Sequence, residues 1–250
     1  MTVTVLGSGT CVPAPGRSAP GALVRFGGTP VLLDAGPGAL ARLAAAGASY
    51  RDLATVLVSH LHPDHTLDLV TLFQANAATP GFRRTLPLTV AGCRGLSSFL
   101  ARVFDLYDGI RPEEYPLSIR EMEEDTARFP PGWTVTTGPS GHAPGSLCFR
   151  FEYEGRILAY SGDASPRGRL VDIARGAHLL LCECSLPDGW RVEDHLRAGE
   201  VGEIAREAGV PHVVLTHLYP PTQDADVVAQ VRRRFDGEVT LAHDGWTGVV

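Results

Sequence analysis

The sequence predicts an α/β protein built as a layered sandwich, and two observations carry this. Strand-like and helix-like segments alternate along the whole chain. The stretch Glu152-Tyr153-Glu154-Gly155-Arg156 has the chemistry of a hairpin tip, so some neighbouring strands are antiparallel and a purely parallel, doubly wound sheet is disfavoured. In chain order, strand patterning covers Thr2–Leu6, Ala22–Phe26, Val31–Asp34, Thr55–Ser59 and Leu88–Ala91. It returns at Trp133–Thr137, Leu147–Tyr153, Arg156–Ser161, Leu179–Cys184, His212–Thr216 and Val239–His243. Helical patterning covers Ala39–Ala46, Leu67–Ala78, Leu96–Asp105, Ala198–Ala208 and Asp224–Arg234. The region from Thr79 to Pro131 is the least regular, with Pro80, Pro87, Pro112, Pro116, Pro130, Pro131 and the acidic run Glu121, Glu123, Glu124, Asp125. It reads as a surface excursion, either a solvated connector or part of a substrate rim.

Composition narrows the class. A chain of 250 residues is long enough for one good-sized core, and no Pro, Gly or Ser tract divides it, so residues 1–250 read as one domain. A hydrophobic fraction of 44% with 20% charged residues is ordinary for a globular protein, and no apolar run approaches the roughly 18 residues of a membrane span. The start, Met1-Thr2-Val3-Thr4-Val5-Leu6, alternates like a strand and lacks a secretory leader's basic and apolar regions. Five cysteines without framework spacing (Cys11, Cys93, Cys148, Cys182, Cys184) fit a reducing compartment, and the expected location is the cytoplasm. Cys182 and Cys184 read as buried small hydrophobes. All 22 basic residues are arginine, yet the net charge is −6, which is not the footprint of a nucleic-acid binder. The runs Arg83-Arg84 and Arg232-Arg233-Arg234 read as solvated helix faces.

The densest chemistry is His60-Leu61-His62-Pro63-Asp64-His65, directly after a strand. Three imidazoles and a carboxylate so close together exceed what a helix cap requires, and divalent metals such as zinc take this nitrogen and oxygen donor set. On extended chain the period of two turns His60 and His62 to one side, where both reach one ion. Pro63 fixes its own φ and biases His62 toward extended backbone, so Asp64 and His65 turn toward a second point, a spacing suited to two adjacent metals. Three further candidates stand at strand ends: His142 before a strand, Asp163 after Ser161-Gly162, and His217 after Val213-Val214-Leu215-Thr216. Together they read as one sheet edge carrying a site. Gly7-Ser8-Gly9 hints at a dinucleotide fingerprint, but Val12 stands where a glycine belongs and Pro13 and Pro15 oppose a helix. His178, His212 and His243 read as structural.

With these elements in place, the chain resembles the metallo-β-lactamase-fold hydrolases and is most similar to the ribonuclease Z-like phosphodiesterases. The matching pieces are Leu6-Gly7-Ser8-Gly9-Thr10 with Pro13 and Arg17, Leu33-Asp34-Ala35-Gly36-Pro37-Gly38, His60 to His65, Gly141-His142, Ser161-Gly162-Asp163, Leu181-Cys182-Glu183, Asp194-His195, Leu215-Thr216-His217 and Asp244-Gly245. The resemblance implies a four-layer αββα sandwich. It implies that His60, His62 and His142 bind one zinc, that Asp64, His65 and His217 bind a second, and that Asp163 bridges them. Manganese or iron would also tolerate such donors. It implies that His195 acts near the leaving group with Glu183 as its partner, while Asp34 orients the metal loop from outside the ligand set. It also implies a homodimer.

The expected chemistry is attack by a metal-activated hydroxide on a small, cyclic or nucleotide phosphodiester, with Asp64, His195 and Glu183 as catalytic residues. RNA is compatible but not favoured: the long basic arm of the tRNA-processing relatives falls between the positions of His142 and Asp163, where this chain has one hairpin. Leu218-Tyr219-Pro220-Pro221 also departs from the aromatic, serine and arginine pattern of those relatives. Alternatives are a tRNA 3′-processing endoribonuclease and a lactonase or β-lactamase acting on a carbonyl. A redox diiron protein would replace His62 with glutamate, and a noncatalytic binding protein would have lost ligands.

Overall fold

The computed structural model describes residues 1–190 and 193–250. Two seven-stranded sheets form the interior. The first contains β1 (Thr2–Gly7), β2 (Gly21–Phe26), β3 (Thr29–Leu33), β4 (Thr55–Val58), β5 (Leu88–Gly92), β6 (Leu117–Glu121) and β14 (Thr247–Val249), in the order β14-β1-β2-β3-β4-β5-β6. The second contains β7 (Thr126–Phe129), β8 (Trp133–Pro139), β9 (Leu147–Tyr153), β10 (Arg156–Tyr160), β11 (Leu179–Glu183), β12 (His212–Thr216) and β13 (Glu238–Leu241), in the order β13-β12-β11-β10-β9-β8-β7. Each sheet pairs antiparallel in one half and parallel in the other: β3 to β6 and β10 to β13 are the parallel runs. The predicted hairpin is β9–β10, turned by Glu154 and Gly155, both at positive φ.

Both faces of the central strands are buried, which explains their near-continuous apolar sequences. In β11, Leu179 and Leu181 point into the core between the sheets, while Leu180 and Cys182 point to the outer layer. That outer layer is covered by α4 (Leu170–Ala174), α5 (Ala198–Ala208) and α6 (Val227–Arg232), and the first sheet by α1 (Ala39–Ala45), α2 (Pro63–Ala78) and α3 (Leu96–Leu106). The result is the αββα sandwich. Phe26 of the first sheet stacks on Trp133 of the second with centroids 4.6 Å apart, and Phe129 stacks on the other side at 4.6 Å. No helix among the described residues is long and apolar enough to cross a membrane.

Three expectations need correction. The Thr79–Pro131 region holds, besides the expected strand β5 and helix α3, two strands that the patterning did not show, the edge strands β6 and β7 of the two sheets. Edge strands this short and half-exposed lack the apolar alternation that reveals a strand. Arg84 is not on a solvated helix face: it is 1% exposed, and its guanidinium donates to the carbonyls of Tyr50, Leu53, Leu86 and Pro87 and to Asn76 Oδ1. Arg232 to Arg234 are exposed as expected. Finally, α2 begins at Pro63 rather than Leu67, since Pro63 fills the first helical position and needs no donor there.

Candidate metal centre

The C-terminal ends of parallel strands gather the site at one edge of the sandwich. His60 follows β4, and His62 sits extended before α2 (φ −64, ψ 148), as Pro63 dictates. Asp64 and His65 occupy the first turn of α2. From the second sheet come His142 in the β8–β9 loop, Asp163 after β10, Glu183 at the end of β11 and His217 after β12. His217 is a non-glycine residue held at φ 55. Gly162, also at φ 55, lets the Asp163 loop touch the first sheet, for a Cβ there would come within 2.7 Å of Ser59 Cβ.

Six imidazoles and two carboxylates converge: His60, His62 and His142 with Asp163 form one group, Asp64, His65 and His217 a second, and Asp163, His195 and His217 a third that overlaps both. In the first, His62 Nδ1 lies 3.0 Å from His60 Nε2 and 3.1 Å from His142 Nε2, and Asp163 Oδ2 lies 3.7 Å from both Nε2 atoms. In the second, Asp163 Oδ1 lies 3.1 Å from His65 Nε2 and 3.2 Å from His217 Nε2. Asp64 Oδ2 stands 3.8 Å and 3.7 Å from the same two nitrogens. Asp163 thus turns one oxygen toward each of the first two groups.

The ring tautomers follow from the outer hydrogen bonds. Ser59 Oγ donates to Asp34 Oδ2, so it accepts from His60 Nδ1 at 3.0 Å. Ser185 Oγ donates to Glu183 Oε2, so it accepts from His217 Nδ1 at 3.0 Å. His65 Nδ1 donates to Asp34 Oδ2 at 2.8 Å, and His142 Nδ1 to the Asp194 carbonyl at 2.7 Å. Every one of these rings therefore spends Nδ1 on an outer partner and points Nε2 at the cluster. Buried His65 Nε2, His217 Nε2 and Asp163 Oδ1 have no hydrogen-bond partner among the described residues. Lone pairs facing lone pairs in a buried pocket repel unless a positive charge lies between them, so the donor set fits metal ions.

Charge balance agrees. Burial, helped by His65, pushes the His60 pKa down to about 3, which keeps its lone pair available. At His65 burial is outweighed by Asp163 and Asp34, which raise its pKa well above the ordinary imidazole value, so without an ion a proton on this ring supplies the positive charge that the two carboxylates draw. Burial also opposes ionisation of Asp163, yet His217 and His65 hold it well below the usual carboxylate range. Two fully buried carboxylates, Asp34 and Asp163, draw positive charge to this pocket.

The structure also brings His195 to the rim, 13% exposed, with Nδ1 3.2 Å from Glu183 Oε2 and 4.0 Å from Asp163 Oδ2. Glu183 further accepts from Ala164 N and Leu196 N, tying the Asp163 loop to the His195 loop. Asp34 lies behind the cluster, accepting from Ser59, His65 and Tyr160. Sequence reasoning missed Ser59, Ser185, Tyr160 and Tyr219. Tyr219 stands edge-on to His195 at 5.6 Å and to His217 at 5.7 Å. The available signals were a hydroxyl residue adjoining His60 or Glu183, and a tyrosine closing an apolar strand whose polar tip needs a partner.

Solved structures define the class first. The metallo-beta-lactamase fold protein YhfI from Bacillus subtilis superposes with a TM-score of 0.85 at 24% identity, covering 99% of this chain and 98% of its own. The short form of human tRNase Z gives 0.81 at 22% identity, covering 100% and 99%. This is a metallo-β-lactamase fold. Residues 29–218 match the model of the Beta-lactamase superfamily domain, and ribonuclease Z of Mycobacterium sp. (strain KMS) is 32% identical across 97% of this chain and 93% of its own length. The chain belongs to the β-lactamase superfamily, in its ribonuclease Z-like branch.

Proposed function

We propose that this chain is a binuclear metal-dependent phosphodiesterase for small, cyclic or nucleotide phosphodiesters. The observation that carries it is Asp163, with one oxygen toward each group of unsatisfied imidazole nitrogens. His60, His62 and His142 would hold one ion, Asp64, His65 and His217 the other, and Asp163 would bridge them. The donors suit zinc best and also admit manganese or iron. Ions bound there would lower the pKa of a water toward neutrality and offset charge developing on a phosphoryl oxygen.

The remaining work falls to the protein's own groups. Burial opposes the His195 imidazolium, but the hydrogen bond and charge of Glu183, with Asp163 and Asp194, raise its pKa to about 9. Without ions His195 therefore carries a proton at neutral pH, and with ions bound the Glu183 charge would still favour the protonated ring that can deliver a proton to the departing alkoxide. Glu183 holds the ring through Nδ1, which leaves Nε2–H to face the substrate. Asp64 positions the cluster from the first turn of α2.

A second reading, tRNA 3′-end cleavage, is favoured by the ribonuclease Z relatives. The short β9–β10 hairpin in place of a long arm and the net charge of −6 weigh against it. We treat residues 1–250 as one domain and the protein as a cytoplasmic homodimer, in keeping with buried free Cys93, Cys148, Cys182 and Cys184 and with the resemblance. The test is one panel on metal-quantified protein: bis-nitrophenyl phosphate, cyclic nucleotides, pre-tRNA, a lactone and a cephalosporin. Turnover of the diesters supports the proposal, and turnover confined to the lactone or cephalosporin overturns it.

A further inference from the structure

A cavity of about 720 Å³ adjoins the metal centre without containing it. Its position follows from the sheet. Strands β3, β4, β5 and β6 are parallel, so their C-terminal ends share one edge. Along that edge stand Asp34, then Ser59 and His60, then Arg94, then Glu123. The cavity lies over the last two, one to two strands beyond His60, and its opposite wall is the Pro144–Leu147 segment that follows His142. Leu147 N donates to Ser59 O, and a Cβ on Gly145 would come within 3.3 Å of Arg94 Cβ. The loops carrying His60, His62 and His142 thus form the boundary between cluster and cavity.

Arg94 and Glu123 both line the cavity, and Glu121, close enough to Arg94 to feel its charge, stands beside them. Among the described residues neither Arg94 nor Glu123 makes a side-chain hydrogen bond or ion pair, although both line the same space. Neighbouring Glu124 differs, being held by Arg169. A guanidinium near the metals and a carboxylate farther away suit a ligand that is anionic at its near end and rich in hydrogen-bond donors at its far end. Guanidinium forks bind phosphoryl oxygens, and a carboxylate accepts from sugar hydroxyls or base amino groups. Adjacent strands stand about 4.8 Å apart, so the step from His60 to Glu123 spans roughly 10 Å, the reach of a nucleoside rather than of a simple alkyl group. The volume lies within the usual range for small-molecule sites.

We infer that this cavity receives the nucleoside part of a nucleotide phosphodiester, with Arg94 on the phosphate and Glu123 on the sugar or base. The inference rests on the phosphodiesterase reading and supplies its substrate class. The test compares wild type, Arg94→Ala and Glu123→Gln, all metal-loaded, on cyclic AMP and on bis-nitrophenyl phosphate, with AMP as a competitive inhibitor. Both residues are exposed, and matching melting curves establish that the variants fold. Loss of a charge-assisted hydrogen bond is expected to raise KM for cyclic AMP and Ki for AMP about tenfold, with kcat changed far less. Glu123→Gln, which loses a contact only the nucleoside can make, then lowers selectivity for cyclic AMP over bis-nitrophenyl phosphate by a similar factor, whereas Arg94→Ala, which loses a contact to the phosphate both share, weakens both substrates. Equal losses on both substrates in Glu123→Gln, or an unchanged Ki for AMP in either variant, overturn the inference while the phosphodiesterase reading stands. A wild type inert on every diester overturns both.

Discussion

Tyr160, on β10 of the second sheet, donates its hydroxyl to Asp34 Oδ2, at the end of β3 in the first, at 2.7 Å. The carboxylate that orients His65 is therefore held from both layers. Burial and the Asp34 charge raise the Tyr160 pKa well above the ordinary phenol value, so the group remains a donor. Tyr160→Phe keeps the shape and removes that donor. We expect a loss of about 1–3 kcal/mol in urea unfolding and about tenfold weaker ion binding, measured by titration against a competing chelator. Unchanged ion affinity would show that Asp34 needs no support from the second sheet.

On the proposed mechanism the His195–Glu183 pair should set the alkaline side of the pH profile. A general acid works only while protonated, so the rate on a poor leaving group declines as pH rises through the His195 pKa. In metal-free protein that ring should titrate near 9 by NMR. Cations beside Asp163 compete with the imidazolium for the same carboxylate and shift the limb downward. Glu183→Gln removes the principal stabilising charge and moves it lower still, whereas His195→Ala abolishes it and lowers turnover by about 10²–10⁴-fold. An alkyl diester and nitrophenyl diester slowed equally by His195→Ala would refute the acid role.

The convergence of the candidate ligands was legible because their residue types are costly to bury together without a counter-charge, and His60-Leu61-His62-Pro63-Asp64-His65 states that cost in six positions. Strands buried on both faces were legible as well, since Leu179–Cys182 and Val213–Leu215 carry unbroken apolar sequence. The edge strands β6, β7 and β14 were not, because half-exposed strands of three to five residues have too few positions to show a period. Nor was buried Arg84, whose partners are backbone carbonyls, and carbonyls leave no trace in sequence. Ser59 and Ser185 matter only through the proton each passes to a carboxylate, a relation visible only in three dimensions.

Gly162 tests how tightly the two sheets are joined at the site. Its φ of 55 and the 2.7 Å approach of a Cβ to Ser59 make alanine strained twice over. We expect Gly162→Ala to cost about 1–3 kcal/mol from backbone strain and overpacking and to lower ion occupancy, because Asp163 is the next residue. Ion content by mass spectrometry and a melting curve check it. A stable variant with full occupancy would mean that the loop can shift freely.

Ion removal should change not only the stability but also its dependence on pH. Without ions, His65 and His195 have pKa values above the unfolded value of about 6.5, so their contribution is complete below that pH and is lost as pH rises through the folded values. His60 acts oppositely: its pKa of about 3 means the unfolded state gains a proton first as pH falls below about 6.5, and stability declines there. The chelated protein should therefore melt highest near pH 6.5 and lower on either side. Ions bind only deprotonated imidazoles, so the stabilisation they add grows with pH, about 2.7 kcal/mol for each ion at a hundredfold excess over its dissociation constant. The difference in Tm between loaded and chelated protein should thus widen steadily from about pH 6 to about pH 8. A constant difference across that range would mean that protons and ions do not compete at His65, and its assignment as a ligand would fail.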